Sequence, residues 1–272
     1  MKERTFPISS GKLLTLEVSS GDVLITTWDK SEVYIKVLGN EKAKEKVDFN
    51  VSGDDKEVKV IAKRDGNVFN WFSSGINMRF EIKVPKQFNN NVSTSGGDIR
   101  IADIEGTSNI RTSGGDISMK RLTGRVKANT SGGDINLDNG EGELYFSTSG
   151  GDIVAVDFKG DLEVSTSGGD IKLKGSDSKV NAETSGGDIV LSYTGENKGI
   201  LLSSSGGDIT AEVPSDFNAS AKFSTSGGSV SCNLSTNNVA KVSSSKFEAD
   251  LNNGGNSFIA KTSGGDIDIR KK

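Results

Sequence analysis

The chain has 272 residues, 33% of them hydrophobic, with 34 glycines, three prolines and a formal net charge of −4. Its acids and bases are interspersed, so no basic stripe is present to bind nucleic acid through counterion release. Histidine is absent and Cys232 is the one cysteine, which excludes His-activated nucleophiles, zinc sites built on His or Cys, and an intrachain disulfide.

No run approaches the roughly 18 apolar residues of a membrane span. Met1–Ile8 has no apolar leader segment. The expected location is the cell envelope or the exterior if a leader was removed, and the cytoplasm otherwise.

Residues 1–92 alternate apolar and polar side chains, as in Leu14-x-Leu16-x-Val18, Val33-x-Ile35-x-Val37, Val58-x-Val60-x-Ala62 and Phe80-x-Ile82-x-Val84. Period two predicts strands with one face inward. These units are long and irregular, and they read as wider opening coils and a cap. Glu41–Lys46 is the one helix-prone run, and a solvated loop is expected there. Phe69, Trp71 and Phe72 form the richest aromatic cluster. They fit either a lid over the core or an exposed contact loop.

Residues 93–203 are regular. Ser-Gly-Gly places its first glycine at Gly96, Gly114, Gly132, Gly150, Gly168 and Gly186, a constant step of 18. Alternating runs flank it, such as Leu162-x-Val164-x-Thr166 before and Ile171-x-Leu173 after. A second glycine recurs at Gly106, Gly124, Gly142 and Gly160, and Ile104, Leu122 and Phe158 precede it by two. Each unit therefore reads strand, Gly-Gly bend, strand, glycine corner, with Thr and Ile inward and the corner plugged by the apolar residue. Units of equal length can stack at about 4.8 Å per coil with parallel pairing.

Residues 204–272 depart from the period. Ser-Gly-Gly returns with first glycines at Gly206, Gly227 and Gly264, steps of 20, 21 and 37. The last gap fits two coils with a degenerate bend at Gly254-Gly255. Val213-Pro214-x-x-Phe217-Asn218 repeats Val84-Pro85-x-x-Phe88-Asn89, and proline without an N–H suits a corner. The predicted fold is all-β: one single-stranded parallel β-solenoid over 1–272, with 18-residue coils in the centre and longer irregular coils at both ends. The usual hand of parallel crossovers makes it right-handed, although 18-residue coils also occur in left-handed β-helices.

The ordered polar array is a row of aspartates: Asp98, Asp116, Asp134, Asp152, Asp170, Asp188, Asp208 and Asp266, interrupted by Ser229. Stacked carboxylates about 5 Å apart repel by on the order of 1 kcal/mol per pair in water. Local capping, each Asp accepting hydrogen bonds at its bend, offsets this. A row of Ca²⁺ sites on Asp98, Asp116, Asp134, Asp152, Asp170, Asp188 and Asp208 is the alternative, but the motif lacks the third glycine of calcium-binding β-rolls. Cys232 lies at an inward position and reads as core. The outward file Arg100, Ser118, Asn136, Val154, Lys172, Val190, Thr210 is irregular, which argues against ice binding. No cofactor is expected.

The Thr-Ser-Gly-Gly-Asp-Ile bends, the opening Leu14-Thr15-Leu16-Glu17-Val18-Ser19-Ser20-Gly21-Asp22-Val23, Trp28, and Val84-Pro85-Lys86-Gln87-Phe88 resemble the bacterial "putative adhesin" domains of unknown function. The resemblance spans nearly the whole chain. It implies association with the bacterial envelope and brings no catalytic residues. The expected function is a non-enzymatic envelope module that binds or scaffolds a protein or glycan. Two alternatives are a polysaccharide-active β-helix enzyme, with its site confined to 38–80 or 232–258, and a self-assembling structural protein.

Overall fold

The computed structural model describes residues 2–64 and 77–272. The expected contact loop Phe69, Trp71 and Phe72 lies outside them. The described residues form two compact units, Met1–Gly133 and Asp134–Lys272.

The first unit contains β1 (Lys2–Pro7), β2 (Leu13–Val18), β3 (Asp22–Trp28), β4 (Glu32–Gly39), α1 (Glu41–Lys46), β5 (Val47–Gly53) and β6 (Glu57–Arg64). It continues with β7 (Met78–Pro85), β8 (Asn89–Thr94), β9 (Ile99–Ala102), β10 (Glu105–Arg111) and β11 (Ile117–Asn129). The alternating pattern folds as expected. Leu14, Leu16, Val58, Val60, Val92, Ile99, Ile101, Ile110 and Ile117 are all buried.

The coils pair in parallel, but not in sequence order. Strand β2 lies between β6 and β8, and β3 between β7 and β9. The first bend of the chain thus sits one coil inside its stack. Antiparallel strands cover the outer coil: β5 pairs with β6, β4 with β7, and β1 with β4. Over 1–92 the coils are thus β2–β3 and β6–β7, and the remaining strands form the cap as antiparallel pairs. The reason is chain length between bends, since Glu32–Gly39 and Val47–Gly53 have room to double back as hairpins. The Glu41–Lys46 run is a short helix and not a loop. The Asn40 carboxamide oxygen caps it by accepting from the Ala43 N–H at 3.0 Å, and Ala43 is buried.

The second unit contains β12 (Ile135–Ser147), β13 (Ile153–Thr166), β14 (Ile171–Thr184), β15 (Ile189–Thr194), β16 (Ile200–Ser204) and β17 (Ile209–Val213). Then follow β18 (Ala219–Ser224), β19 (Val230–Cys232), β20 (Thr236–Ser243), β21 (Lys246–Leu251), β22 (Ser257–Lys261) and β23 (Ile267–Lys271). Equivalent positions pair in parallel, for example Ile135 with Ile153, Ile153 with Ile171 and Ile171 with Ile189.

Here too the order breaks. Strand β22 lies between β16 and β18, and β23 between β17 and β19. The 37-residue gap is not two coils. It holds the antiparallel hairpin β20–β21, with β21 laid against β18. Gly254 and Gly255 have φ of +72° and +129° and turn the chain back into the stack.

The glycine corner of the regular coils uses left-handed backbone. Gly106, Gly124, Gly142 and Gly160 all have positive φ. So do Asp103, Arg121, Asn139 and Asp157, three residues before each, where Asp and Asn are the side chains that best tolerate it. Ile104, Leu122 and Phe158 plug the corner and are buried. Phe158 is flanked in register by Gly140 and Gly175, and a methyl group on Gly175 would collide with its ring. In the larger coils, edge-to-face contacts link Tyr193 to Phe217, Phe217 to Phe258 and Phe258 to Phe223.

The two glycines of each bend differ. A methyl on Gly115, Gly133, Gly169, Gly187 or Gly207 would run into the carbonyl of the equivalent glycine one coil away. One on Gly96 meets nothing within 4 Å. The expected outcome is that Gly187→Ala costs at least ~2 kcal/mol by forcing two coils apart. Gly96→Ala should stay within about 0.5 kcal/mol of the parent. Urea denaturation of the two variants checks this.

Candidate functional site

The bends repeat two hydrogen bonds that tie one coil to the next. The first is made by the inward Thr. The Thr166 hydroxyl donates to the Gly151 carbonyl at 2.9 Å and accepts from its own bend's Gly169 N–H at 3.3 Å. Thr112, Thr130, Thr184, Thr225 and Thr262 do the same, and Ser204 substitutes in its coil.

The second is made by Asp. Asp22 Oδ1 accepts from Asp98 N–H, and Asp98 Oδ1 from Asp116 N–H, both at 3.1 Å. In the second unit the series runs Asp134 to Asp152, Asp170, Asp188, Asp208 and Asp266, at 2.7 to 2.9 Å. It ends on Ser229, whose N–H reaches Asp266 Oδ1 at 2.6 Å. The carboxylates therefore cap backbone as expected, but the backbone belongs to the neighbouring coil. Ser229 does not interrupt the row. It occupies the final place, because Asp266 precedes it in space, and β19 pairs only with β23 among the described strands.

Hydrogen bonds from the Ser229 N–H and hydroxyl hold the Asp266 carboxyl below the usual carboxylate range. Asp103 is also held low, chiefly by the Arg121 guanidinium that grips both its oxygens at 2.6 and 2.9 Å. Burial pushes the Cys232 thiol up. This half-buried residue pairs in register with Ile269 and is disfavoured as a thiolate nucleophile.

No three His, Cys, Asp or Glu side chains converge as a metal cluster among the described residues. Of the candidate Ca²⁺ ligands Asp98, Asp116, Asp134, Asp152, Asp170, Asp188 and Asp208, Asp98 in the first unit and Asp134, Asp152, Asp170, Asp188 and Asp208 in the second each have Oδ1 already engaged by the N–H of the next bend of the same unit, and the Asp116 N–H is the donor to Asp98.

The outward positions are less uniform than the inward ones. On the wall preceding the bend in the second unit, one file reads Tyr145, Glu163, Asn181, Leu201, Ile259 in register. A shallow groove of about 380 Å³ crosses it, lined also by Asp161, Lys179, Gly199 and Ser257. Gly199 and Ser257 carry little side chain, so the floor drops beside Leu201. The Tyr145 hydroxyl donates to Glu143 Oε2 at 3.3 Å, which fixes the tip of the ring. Sequence reasoning followed the outward file after the bend and missed this one. Its signal was present as the 18-residue spacing of Tyr145, Glu163 and Asn181 at outward parity.

A family model described as Toastrack DUF4097 matches residues 12–270. The chain belongs to this family. Three solved structures match, each covering 100% of this chain. One is a "putative cell adhesion protein" from Clostridium sporogenes (14% identity, 99% of that chain, TM-score 0.25). Another is a "putative adhesin" from Bacteroides fragilis (14%, 96%, TM-score 0.35). The third is a "putative lipid binding protein" from Parabacteroides distasonis (17%, 96%, TM-score 0.34). No curated protein matches. The Toastrack fold agrees with the all-β solenoid expected from the sequence.

Melting temperature should be the same in excess Ca²⁺ and in chelator; a rise of several degrees with Ca²⁺ would assign the row a cation. The depressed Asp103 and Asp266 groups contribute stability that is present above the ordinary Asp value of about 3.9. That stability is lost as pH falls through their lower folded values. Asp103→Asn should therefore flatten part of the acid loss, by less than about 1 kcal/mol for so exposed a pair, in denaturation curves taken from pH 6 to 2.

Proposed function

We propose that the chain is a non-enzymatic binding or scaffolding module of a bacterial cell envelope. It presents rigid coil walls to a protein or glycan. The observation that carries this reading is the groove on the second unit. Its backbone is fixed by parallel pairing on both sides, so an aromatic ring, two carboxylates, an amide, an ammonium and a leucine are held at coil spacing without a loop to order. Preordered groups bind with little loss of conformational freedom. A half-buried Tyr and an aliphatic residue among hydrogen-bonding groups suit either a sugar face or a peptide.

The expected outcome on an array of glycans and matrix proteins is binding by the intact chain. Binding should weaken at least ~10-fold, about 1.4 kcal/mol, in the double variant Tyr145→Ala/Leu201→Ser with melting temperature little changed. Thr210→Ala, on the other wall of the same unit, should bind as the parent does. An intact chain that binds no component of the array would replace this reading with a purely structural role. Fractionation and protease shaving of bacteria producing the protein test the envelope assignment: accessibility at the cell surface supports it, and recovery wholly in the cytosol removes it.

A further inference from the structure

The groove on the second unit crosses a wall with no free strand edge beneath it. Strand β13 is paired with β12 and β14, β14 with β16, and β16 with β22. Extended peptides are commonly held by adding to an open edge through main-chain hydrogen bonds. A ligand in this groove is held by side chains alone.

Those side chains set acceptors beside donors. Asp161 stands in register with Lys179, and Glu163 with Asn181, on neighbouring coils about 4.8 Å apart. Asp161, Glu163 and Lys179 are exposed and form no ion pair among the described residues. Asn181 has a covered Oδ1 without a hydrogen-bond partner. Its amide torsion is soft, so turning that oxygen toward a ligand breaks no hydrogen bond of its own. A hydroxyl bridges each of these pairs, because it donates to the carboxylate and accepts from the ammonium or amide. A sugar ring carries several hydroxyls side by side. Tyr145 is in register with Glu163, and the hydrogen bond to Glu143 holds its tip, which leaves the ring face for the C–H face of a sugar. At the far end Leu201 is half-buried beside Asn181, with only Gly199 and Ser257 around it. An amide next to an apolar pit matches an acetamido group: its amide meets Asn181 and its methyl meets Leu201. Tyr145 and Leu201 are three coil steps apart, about 14 Å, so the groove spans more than one sugar ring.

We propose that the groove binds a neutral glycan bearing N-acetyl groups; this rests on the groove being the binding surface and names its ligand. One ring lies on Tyr145, hydroxyls bridge the Asp161–Lys179 and Glu163–Asn181 pairs, and an acetamido methyl fills the pit at Leu201. The two free carboxylates oppose an anionic glycan.

Calorimetric titration of the intact chain with tetrasaccharides of one linkage tests this, using N-acetylglucosamine, glucose and glucosamine tetramers. The N-acetylglucosamine tetramer should bind saturably, and the glucose tetramer at least ~10-fold more weakly, as expected when a pocket for one small apolar group is left empty. Ser257→Leu, at an exposed position, fills the pit. It should abolish that ~10-fold preference while melting temperature and glucose-tetramer binding stay as in the parent. Absence of binding by the N-acetylglucosamine tetramer overturns the proposal, as does equal binding of the glucose tetramer or tighter binding of the glucosamine tetramer. Array binding that falls in Tyr145→Ala/Leu201→Ser without any preference for N-acetyl groups, or with a preference for peptides, keeps the groove as the binding surface and overturns this assignment of its ligand. Array binding untouched by that double variant removes both.

Discussion

At each bend the backbones of neighbouring coils approach so closely that no carbon atom fits between them. The second glycine of the motif exists for that approach. Once it is made, the carbonyl of one coil is within reach of the threonine of the next, and the aspartate of one coil within reach of the next amide. Each carboxylate would repel its equivalents if it stood free. Accepting an N–H from the adjacent coil offsets that repulsion and converts a row of like charges into a row of fasteners. Parallel strand pairing, burial of Ile and Val, and the constant coil length all depend on this contact, because a coil that sat further away would lose its ladder hydrogen bonds and its core together.

The same contact explains where the pattern stops. An aspartate is needed only where another bend follows in space. Ser229 follows Asp266 and receives its carboxylate, and β19 has no further parallel partner among the described strands. The chain then changes device: β21 lies antiparallel on β18, as β5 and β4 lie antiparallel on β6 and β7 in the first unit. A parallel coil leaves an open edge, and reversing the chain against it satisfies that edge without another motif.

The proposed binding surface lies on the other parity. Inward residues answer to the core and are Ile, Val, Leu, Ala or Thr in nearly every coil. Outward residues answer to nothing inside the protein, so Tyr145, Glu163, Asn181 and Leu201 can differ from coil to coil on an unchanging frame.

The repeat, the inward parity, the two kinds of glycine position and the corner plugs Ile104, Leu122 and Phe158 were legible in the sequence. Each is imposed by local geometry: strand alternation, a bend without side-chain space, a left-handed corner. The order of coils was not. Equivalent coils present the same edges on both faces, so the sequence does not say that 257–271 stacks between 200–213 and 219–232 and not beyond the latter. Connection lengths and the packing of Phe217, Phe223 and Phe258 decide that. The helix at Glu41–Lys46 required the Asn40 cap, a single hydrogen bond that composition does not announce. The groove at Tyr145 required knowing which small residues, Gly199 and Ser257, fall beside it. Sequence by itself determined the repeating unit, because a unit is a short-range object; tertiary structure alone decided the order of the units and the surface they share, because those depend on contacts between residues up to 78 positions apart.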